Sequence, residues 1–364
     1  MPRPNGPSPV TLHDVAREAG VSLATASRAI NGSSRRVRDD YRARVLAAAK
    51  RLNYKPNFAA QAVARGTTST VGLLVGDVAD PYFSRIAAGV IEAADTAGLA
   101  VTMAATGRDA GRELDLVRTM AAQRPRIMIV AGSRIADNPD QAALVEELTA
   151  LERSGGRVIM ISQPLLPFRT LATDNVGGAR QLAEALVELG YRRFALLCGS
   201  RRLETSNERV SGFVDGLARH GIEVPERWIV STEFTRDGGY AGARELIERD
   251  QDRPELIFAV NDVMAVGAMS ALRSAGLRPG RDIAVAGYDD IPTVQDVTPG
   301  LTTVRIPLAE IGREAVRHAL TAATEPSGRP SIVWTASHSI VIRESTPERQ
   351  RGTPRDRLRE RPAD

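Results

Sequence analysis

The 364-residue chain is poor in the residues that build covalent or metal-based scaffolds. With one cysteine, Cys198, it has no internal disulfide to form, and a reducing cytoplasm is the expected setting. Four scattered histidines (His13, His220, His318 and His338) and that cysteine make no zinc-ligand spacing. No apolar stretch approaches the roughly 18–20 residues of a membrane span. The opening Met1-Pro2-Arg3-Pro4-Asn5-Gly6-Pro7 lacks the apolar centre of a secretory signal. A membrane protein, a disulfide scaffold and a zinc protein are thereby disfavoured. The chain is 43% hydrophobic and 25% charged, as soluble globular proteins are, and long enough for two or three domains.

The net charge of +4 is unevenly spread. Residues 1–66 carry a balance of +8, residues 67–345 one of −6, and residues 346–364 one of +2. A basic module on an acidic body points to a polyanion partner for the first part, against the plainer reading of a merely soluble basic domain. Residues 1–9 are rich in Pro, Gly and Asn and are expected to be disordered, as is the Arg-, Pro- and acid-rich tail 346–364. Helical periodicity runs from Thr11 to Leu52, with Thr11 and Asp14 spaced as a capping box. Pro56-Asn57 breaks it before a short helix through Ala64, and 65–69 reads as linker. Beyond, short apolar runs (Val71–Val75, Val101–Ala105, Ile127–Val130, Val158–Ser162, Phe194–Cys198, Leu256–Val260 and Ile283–Tyr288) alternate with amphipathic segments at roughly 30-residue intervals. That rhythm predicts an α/β body with parallel sheets, and its length predicts two lobes.

Residues 12–30 carry the constraints of a helix-turn-helix. Ala16 falls where the second helix crosses closely, and Gly20 falls at a turn that needs positive φ. Val15, Ala19, Val21, Ala26 and Ala29 point inward; Ser22 caps the second helix; Thr25, Ser27 and Arg28 lie on or near its outer face. Such a helix suits the major groove, the alternative being an αα-hairpin used only for packing. The pattern Thr11-Leu12-x-Asp14-Val15-Ala16-x-x-Ala19-Gly20-Val21-Ser22-x-x-Thr25-x-Ser27-Arg28-x-x-Asn31-Gly32, continued by Val45 and Leu52-Asn53-Tyr54-x-Pro56-Asn57, resembles the lactose/galactose-repressor (LacI/GalR) family of transcription regulators.

That resemblance implies an all-α helix-turn-helix domain (10–56), a hinge helix and linker (57–68), and a two-lobed core like the periplasmic binding proteins (69–345). The first lobe is expected at about 69–163 and 299–327, the second at about 170–291 and 332–345, with crossovers between. Leu23, Ala24 and Arg28 would meet base edges, Arg28 best suited to guanine. Thr11, Ser22, Thr25, Ser27, Asn31 and Tyr54 would position phosphates or support the fold, with Arg35, Arg36 and Arg38 as further phosphate contacts. In the hinge, Asn57, Ala60 and Val63 are implied DNA contacts, Val63 standing as a smaller wedge where the family usually has Leu.

For the core, enzyme signatures are missing: no Walker loop, no G-x-G-x-x-G after a strand and no G-x-S-x-G elbow. The resemblance places a small-molecule effector in the interlobe cleft. Tyr82 and Phe83 would line its mouth, Arg209 bridge effector oxygens, Phe234 form an aromatic wall, Asn261 offer an amide and Asp289 accept from hydroxyls. Thr205 and Asp174 are further candidates. Arg, Asp, Asn and an aromatic wall together suit a sugar or polyol, with no cofactor. Ser162-Gln163 stands where the family often has Asp or Arg, so no particular ligand transfers. The whole reads as a non-enzymatic, homodimeric regulator of a palindromic DNA operator, a repressor of carbohydrate genes. The rivals are a sugar-binding protein, which has no use for residues 10–66, and a sugar-modifying enzyme, which needs a catalytic base beside the cleft.

Overall fold

The computed structural model describes residues 10–31, 37–54, 67–249, 253–321 and 331–349. The chain divides into two compact units, Met1–Thr68 and Ser69–Asp364. In the first, α1 (Leu12–Ala19), α2 (Leu23–Asn31) and α3 (Asp39–Arg51) enclose a small core of Val15, Ala16, Ala19, Ala26, Ala29, Val45 and Ala48. Valine and alanine suffice because small side chains let short helices approach closely. The start of α1 is a reciprocal capping box: the Asp14 N–H donates to Thr11 Oγ1, and the Thr11 N–H donates to Asp14 Oδ2. Its end is Gly20 at φ +61°, the left-handed cap that turns the chain into α2.

The second unit holds two lobes. The first is a six-stranded parallel sheet in the order β11-β5-β4-β3-β1-β2. Its strands are β1 (Thr70–Val75), β2 (Ala100–Ala105), β3 (Ile127–Ala131), β4 (Arg157–Ile161), β5 (Arg169–Thr173) and β11 (Ser331–Ala336). It is flanked by α4 (Pro81–Thr96), α5 (Ala110–Ala121), α6 (Gln141–Arg153) and α12 (Leu308–Thr321). The second lobe has a four-stranded parallel sheet, β7-β6-β8-β9, built from β6 (Phe194–Cys198), β7 (Ile229–Ser231), β8 (Leu256–Ala259) and β9 (Ala284–Ala286). Around it lie α7 (Asn175–Glu188), α8 (Glu204–Ala218), α9 (Arg236–Arg249), α10 (Asp262–Ser274) and the short α11 (Thr293–Asp296). An antiparallel pair, β10 (Thr303–Arg305) with β12 (Ser339–Val341), completes it. Helices α4 and α12 cross at two glycines: a Cβ on Gly89 would stand 1.9 Å from the Ala309 carbonyl oxygen, and one on Gly312 2.1 Å from that of Ile86.

The lobe boundaries differ from those expected. Strands β5 and β11 belong to the first sheet, so residues 170–173 and 332–336 move from the second lobe to the first. Residues 302–305 bridge to Ala286 and Asp289 and so belong with the second lobe. The chain therefore crosses after Thr173, between Arg305 and Leu308, and after Ala336. The physical reason is that β5 is short and polar at both ends, while β11 and β12 are separated only by Ser337-His338 and yet join different sheets. The expected tail also begins too early. The Thr346 hydroxyl lies 2.6 Å from that of Thr302, Tyr191 Oη–H donates to the Pro347 carbonyl, and Arg349 pairs with Glu255 at 2.9 Å. The expectations for residues 1–9 and for the short helix 57–64 lie outside the described residues.

Candidate functional site

The outer face of α2 is set by the turn before it. Ser22 Oγ accepts from the Thr25 N–H at 3.2 Å and lies 2.9 Å from the Thr25 hydroxyl, capping α2 as expected. With Ala26 and Ala29 buried inward, Leu23, Ala24 and Arg28 are left exposed, and Thr25 and Ser27 are half-buried. A 38% exposed leucine at a helix start is an apolar group kept available at the surface. Thr11 is exposed at the α1 cap, and Tyr54 packs against the three-helix core. Arg38 is exposed, beside Asp40 at 3.0 Å. The side chain of Asn31, and Arg35, Arg36, Asn57, Ala60 and Val63 entirely, lie outside the described residues.

The second site is a cavity between the lobes, with about 930 Å³ of atom-free space, open solvent at its mouth included. Its position follows from strand register. In the first sheet Val75, Ala131 and Ile161 are aligned neighbours at the strand ends, so the segments that follow them (Gly76, Gly132-Ser133-Arg134 and Ser162-Gln163) converge on one wall. Asp80 caps α4 by accepting from the Tyr82 N–H at 3.0 Å, which sets Tyr82 and Phe83 edge to face with centroids 5.0 Å apart. Arg108, at φ +61°, pairs with Asp77 at 3.1 Å and Asp80 at 3.0 Å. Its guanidinium carbon also lies 5.6 Å from the Phe234 ring centroid in the other lobe.

Arg209, on α8, is the centre of the opposite wall and is 2% exposed. It donates from Nε to Asn175 Oδ1 at 3.0 Å, from Nη1 to the Val260 carbonyl at 2.7 Å and from Nη2 to Asp289 Oδ1 at 2.8 Å. The guanidinium lies 3.9 Å over the Tyr288 ring. Burial pushes the Asp289 carboxyl above the ordinary carboxylate range, and the Arg209 charge opposes that rise. Burial likewise raises the Tyr82 and Tyr288 hydroxyls, which stay protonated donors. Behind this wall Asp262 accepts from Thr303 Oγ1 at 2.6 Å and the Ile291 N–H at 2.9 Å; burial holds its carboxyl up at about 7.

Direct hydrogen bonds tie the lobes along one edge of the cavity. Gln163 accepts from the Arg134 N–H with Oε1 and donates from Nε2 to Thr205 Oγ1 and Glu208 Oε2, each at 2.9 Å. Ser133 Oγ accepts from the Thr205 N–H, and the Glu204 N–H donates to the Arg134 carbonyl. Two segments of the chain thus meet across the cleft at Ile135 and Leu203.

The structure brings Tyr82, Phe83, Thr205, Arg209, Phe234 and Asp289 onto this one cavity. Asn261 is a correction: it does not line the cavity, because its Oδ1 caps α10 by accepting from the Met264 N–H at 2.9 Å. Its Nδ2 is buried without a partner among the described residues. Asp174 is also a cap, accepting from the Gly177 N–H at the start of α7. Sequence reasoning missed Arg108, Glu113 and Arg134. The signal available was that Arg134 sits just past the end of an apolar strand, where α/β sheets gather their ligand contacts.

Residues 11–57 match the model of the bacterial regulatory proteins of the lacI family, and residues 183–346 that of the periplasmic binding protein-like domain. The HTH-type transcriptional regulator GalS of Salmonella typhimurium is 33% identical over 94% of this chain and 98% of that protein. GalR of Escherichia coli is 32% identical over 92% of this chain and 95% of its own length. Among solved structures, the lac repressor dimer bound to operator and the anti-inducer ONPF superposes with a TM-score of 0.78 at 27% identity, covering 93% of this chain and all of that one. The CelR–cellobiose complex superposes with 0.65 at 30% identity, covering 92% of this chain and 99% of that one. A capped helix-turn-helix, a two-lobed parallel-sheet core and near full-length identity above 30% agree: the chain belongs to the LacI family of HTH-type bacterial transcriptional regulators.

Proposed function

We propose that this regulator is a homodimeric cytoplasmic repressor that reads a palindromic operator and is switched by a carbohydrate-like effector in the interlobe cavity. The observation that carries this is the pairing, in one chain, of an exposed Leu23-Ala24-Arg28 face with an interlobe cleft centred on Arg209 and Asp289. Two-fold symmetry of a dimer demands symmetric DNA. Arg28 supplies a bidentate donor for guanine, Leu23 and Ala24 offer methyl contacts or steric selection, and Thr11, Ser22, Thr25, Ser27, Asn31 and Tyr54 hold the register on phosphates. Asn57, Ala60 and Val63 are assigned to the hinge, with Val63 as the minor-groove wedge.

In the cleft, Tyr82, Phe83 and Phe234 supply apolar faces, and Arg209, Asp289 and Thr205 supply the donors and acceptors that hydroxyls need. The cleft binds its ligand and does not transform it. An effector biases the lobes only by its different affinity for the two arrangements, a coupling of about 1–3 kcal/mol in such systems. The cellobiose bound in the CelR structure supports the sugar class. The described residues hold no helix long and apolar enough to cross a membrane.

The test is selection of bound duplexes from a randomised pool at near-physiological salt, with and without a mixture of sugars. Enrichment of one palindrome, altered by the sugars, is the expected outcome. Recovery of no palindrome under either condition overturns the reading.

A further inference from the structure

Gln163, which follows β4 in the first lobe, lines the cavity and is 6% exposed, yet both hydrogens of its amide are engaged by protein groups. Oε1 accepts from the Arg134 N–H, while Nε2 donates one hydrogen to Thr205 Oγ1 and the other to Glu208 Oε2. These partners fix the amide's orientation, because a backbone N–H only donates and a carboxylate only accepts. Neither an aspartate nor an arginine at this position could do the same: an ionised aspartate has no donor and an arginine no acceptor.

Glu208 carries the connection further. Its Oε2 also accepts from Asn175 Nδ2 at 2.8 Å, and Asn175 Oδ1 accepts from Arg209 Nε. A line of hydrogen bonds thus runs from the first lobe to Arg209, the centre of the second-lobe wall. Beside it the backbones join. The Ala136 N–H donates to the Arg202 carbonyl at 2.8 Å and the Glu204 N–H to the Arg134 carbonyl at 3.0 Å, which makes Ile135 and Leu203 a non-hydrogen-bonded antiparallel pair. The Thr205 N–H donates to Ser133 Oγ. The Glu204 and Thr205 N–H groups open α8, where no intrahelical acceptor exists, so the first lobe supplies the acceptors that this helix start lacks.

We propose that segments 133–136 and 202–205, with Gln163 and Glu208, form a clasp by which the protein's own groups hold the cleft shut. Gln163 is its positioning residue, coupling closure to the setting of Arg209. Because Ser133, Ile135, Gln163, Leu203 and Thr205 also line the cavity, releasing the clasp opens it, and a ligand enters and leaves by that release. The access step rests on the effector reading; the clasp itself does not.

The first experiment is hydrogen exchange, read by mass spectrometry, on the full-length protein with no ligand added. The Glu204 and Thr205 N–H groups have no helical partner, so their slow exchange reports the clasp alone. Gln163→Glu sets a carboxylate against Glu208 and removes the donors; exchange in segments 133–137 and 202–206 rises about tenfold or more, while β3 and β8 keep their protection. Adding Glu208→Gln exchanges donor and acceptor across the same gap and returns both segments to within about threefold of wild type. Should Gln163→Glu melt globally, Gln163→Met removes the amide without adding charge, and the same local rise is expected. Fast exchange of both segments in the wild type overturns the clasp. Folded Gln163 variants without effect, or a charge exchange that rescues nothing, overturn the role of Gln163.

The access step is tested by Ile135→Cys with Leu203→Cys, since a non-hydrogen-bonded antiparallel pair brings its Cα atoms to about 4.5 Å, within disulfide range. Oxidation crosslinks the lobes, and operator binding by the full-length protein loses its response to the mixed sugars until a reductant restores it. A response that survives crosslinking overturns the access step. No response in the wild type overturns the effector reading and the access step with it, whereas the exchange result decides the clasp independently.

Discussion

The strongest test of the cleft is Asp289→Ala, because the carboxylate it removes is the charged partner of a fully buried arginine. Arg209 and Asp289 meet at 2.8 Å with side chains 2% and 5% exposed, so neither is screened by solvent. Truncating one partner of such a pair costs about 3–5 kcal/mol, chiefly the penalty of a buried charge left unmatched. Arg209 keeps its bonds to Asn175 and the Val260 carbonyl, which places the loss at about 3 kcal/mol. At roughly 2–4 °C per kcal/mol for a unit of this size, the core melts about 6–12 °C lower. Calorimetry of the full chain measures it. Asp289 sits at φ +119°, where alanine adds backbone strain of its own, so the substitution is repeated in an Arg209→Met background, where that strain is shared and cancels. The cycle should return a coupling of about 2 kcal/mol or more. A melting temperature within about 2 °C of wild type, or a coupling near zero, refutes the claim that this pair organises the wall.

Three further outcomes follow from the same geometry. Arg28→Ala should lower discrimination between the selected palindrome and random duplex by about 1–3 kcal/mol, and unchanged discrimination in a competition assay would remove Arg28 from base readout. The Asp262 carboxyl, raised by burial to about 7 from an ordinary 3.8, contributes stability that is complete below about pH 4 and lost as pH rises through about 7. The wild type should therefore lose melting temperature relative to Asp262→Asn between pH 5 and 8, and a constant difference across that range contradicts the assignment. Gly89→Ala drives a Cβ to 1.9 Å from the Ala309 carbonyl and should cost about 1–3 kcal/mol by denaturant titration; a variant as stable as wild type would show that α4 and α12 separate freely.

The sequence alone determined the parts whose constraints are local. The capping box at Thr11 and Asp14, the left-handed Gly20 and the alternation of inward Val and Ala are written within a few residues of one another, so the helix-turn-helix and its exposed Arg28 were legible before any packing was known, while Leu23 and Ala24 entered through the family resemblance and Thr25 and Ser27 proved half-buried. The apolar runs of β1, β3, β4, β6 and β8 were legible for a related reason: strands buried on both faces need unbroken hydrophobic sequence. Only the tertiary structure decided the rest. Strand β5, polar at both ends, gains its identity from pairing with β4 and β11, and the stretch from 331 to 341 divides between two sheets because of what each half meets. Asn261 became a helix cap because its own helix begins within reach of its side chain. The pairing of Arg134 with Glu113, and the placing of Arg108 near Phe234, depend on strand register and lobe closure. Those are distances between segments far apart in the chain, fixed by packing that no local pattern encodes.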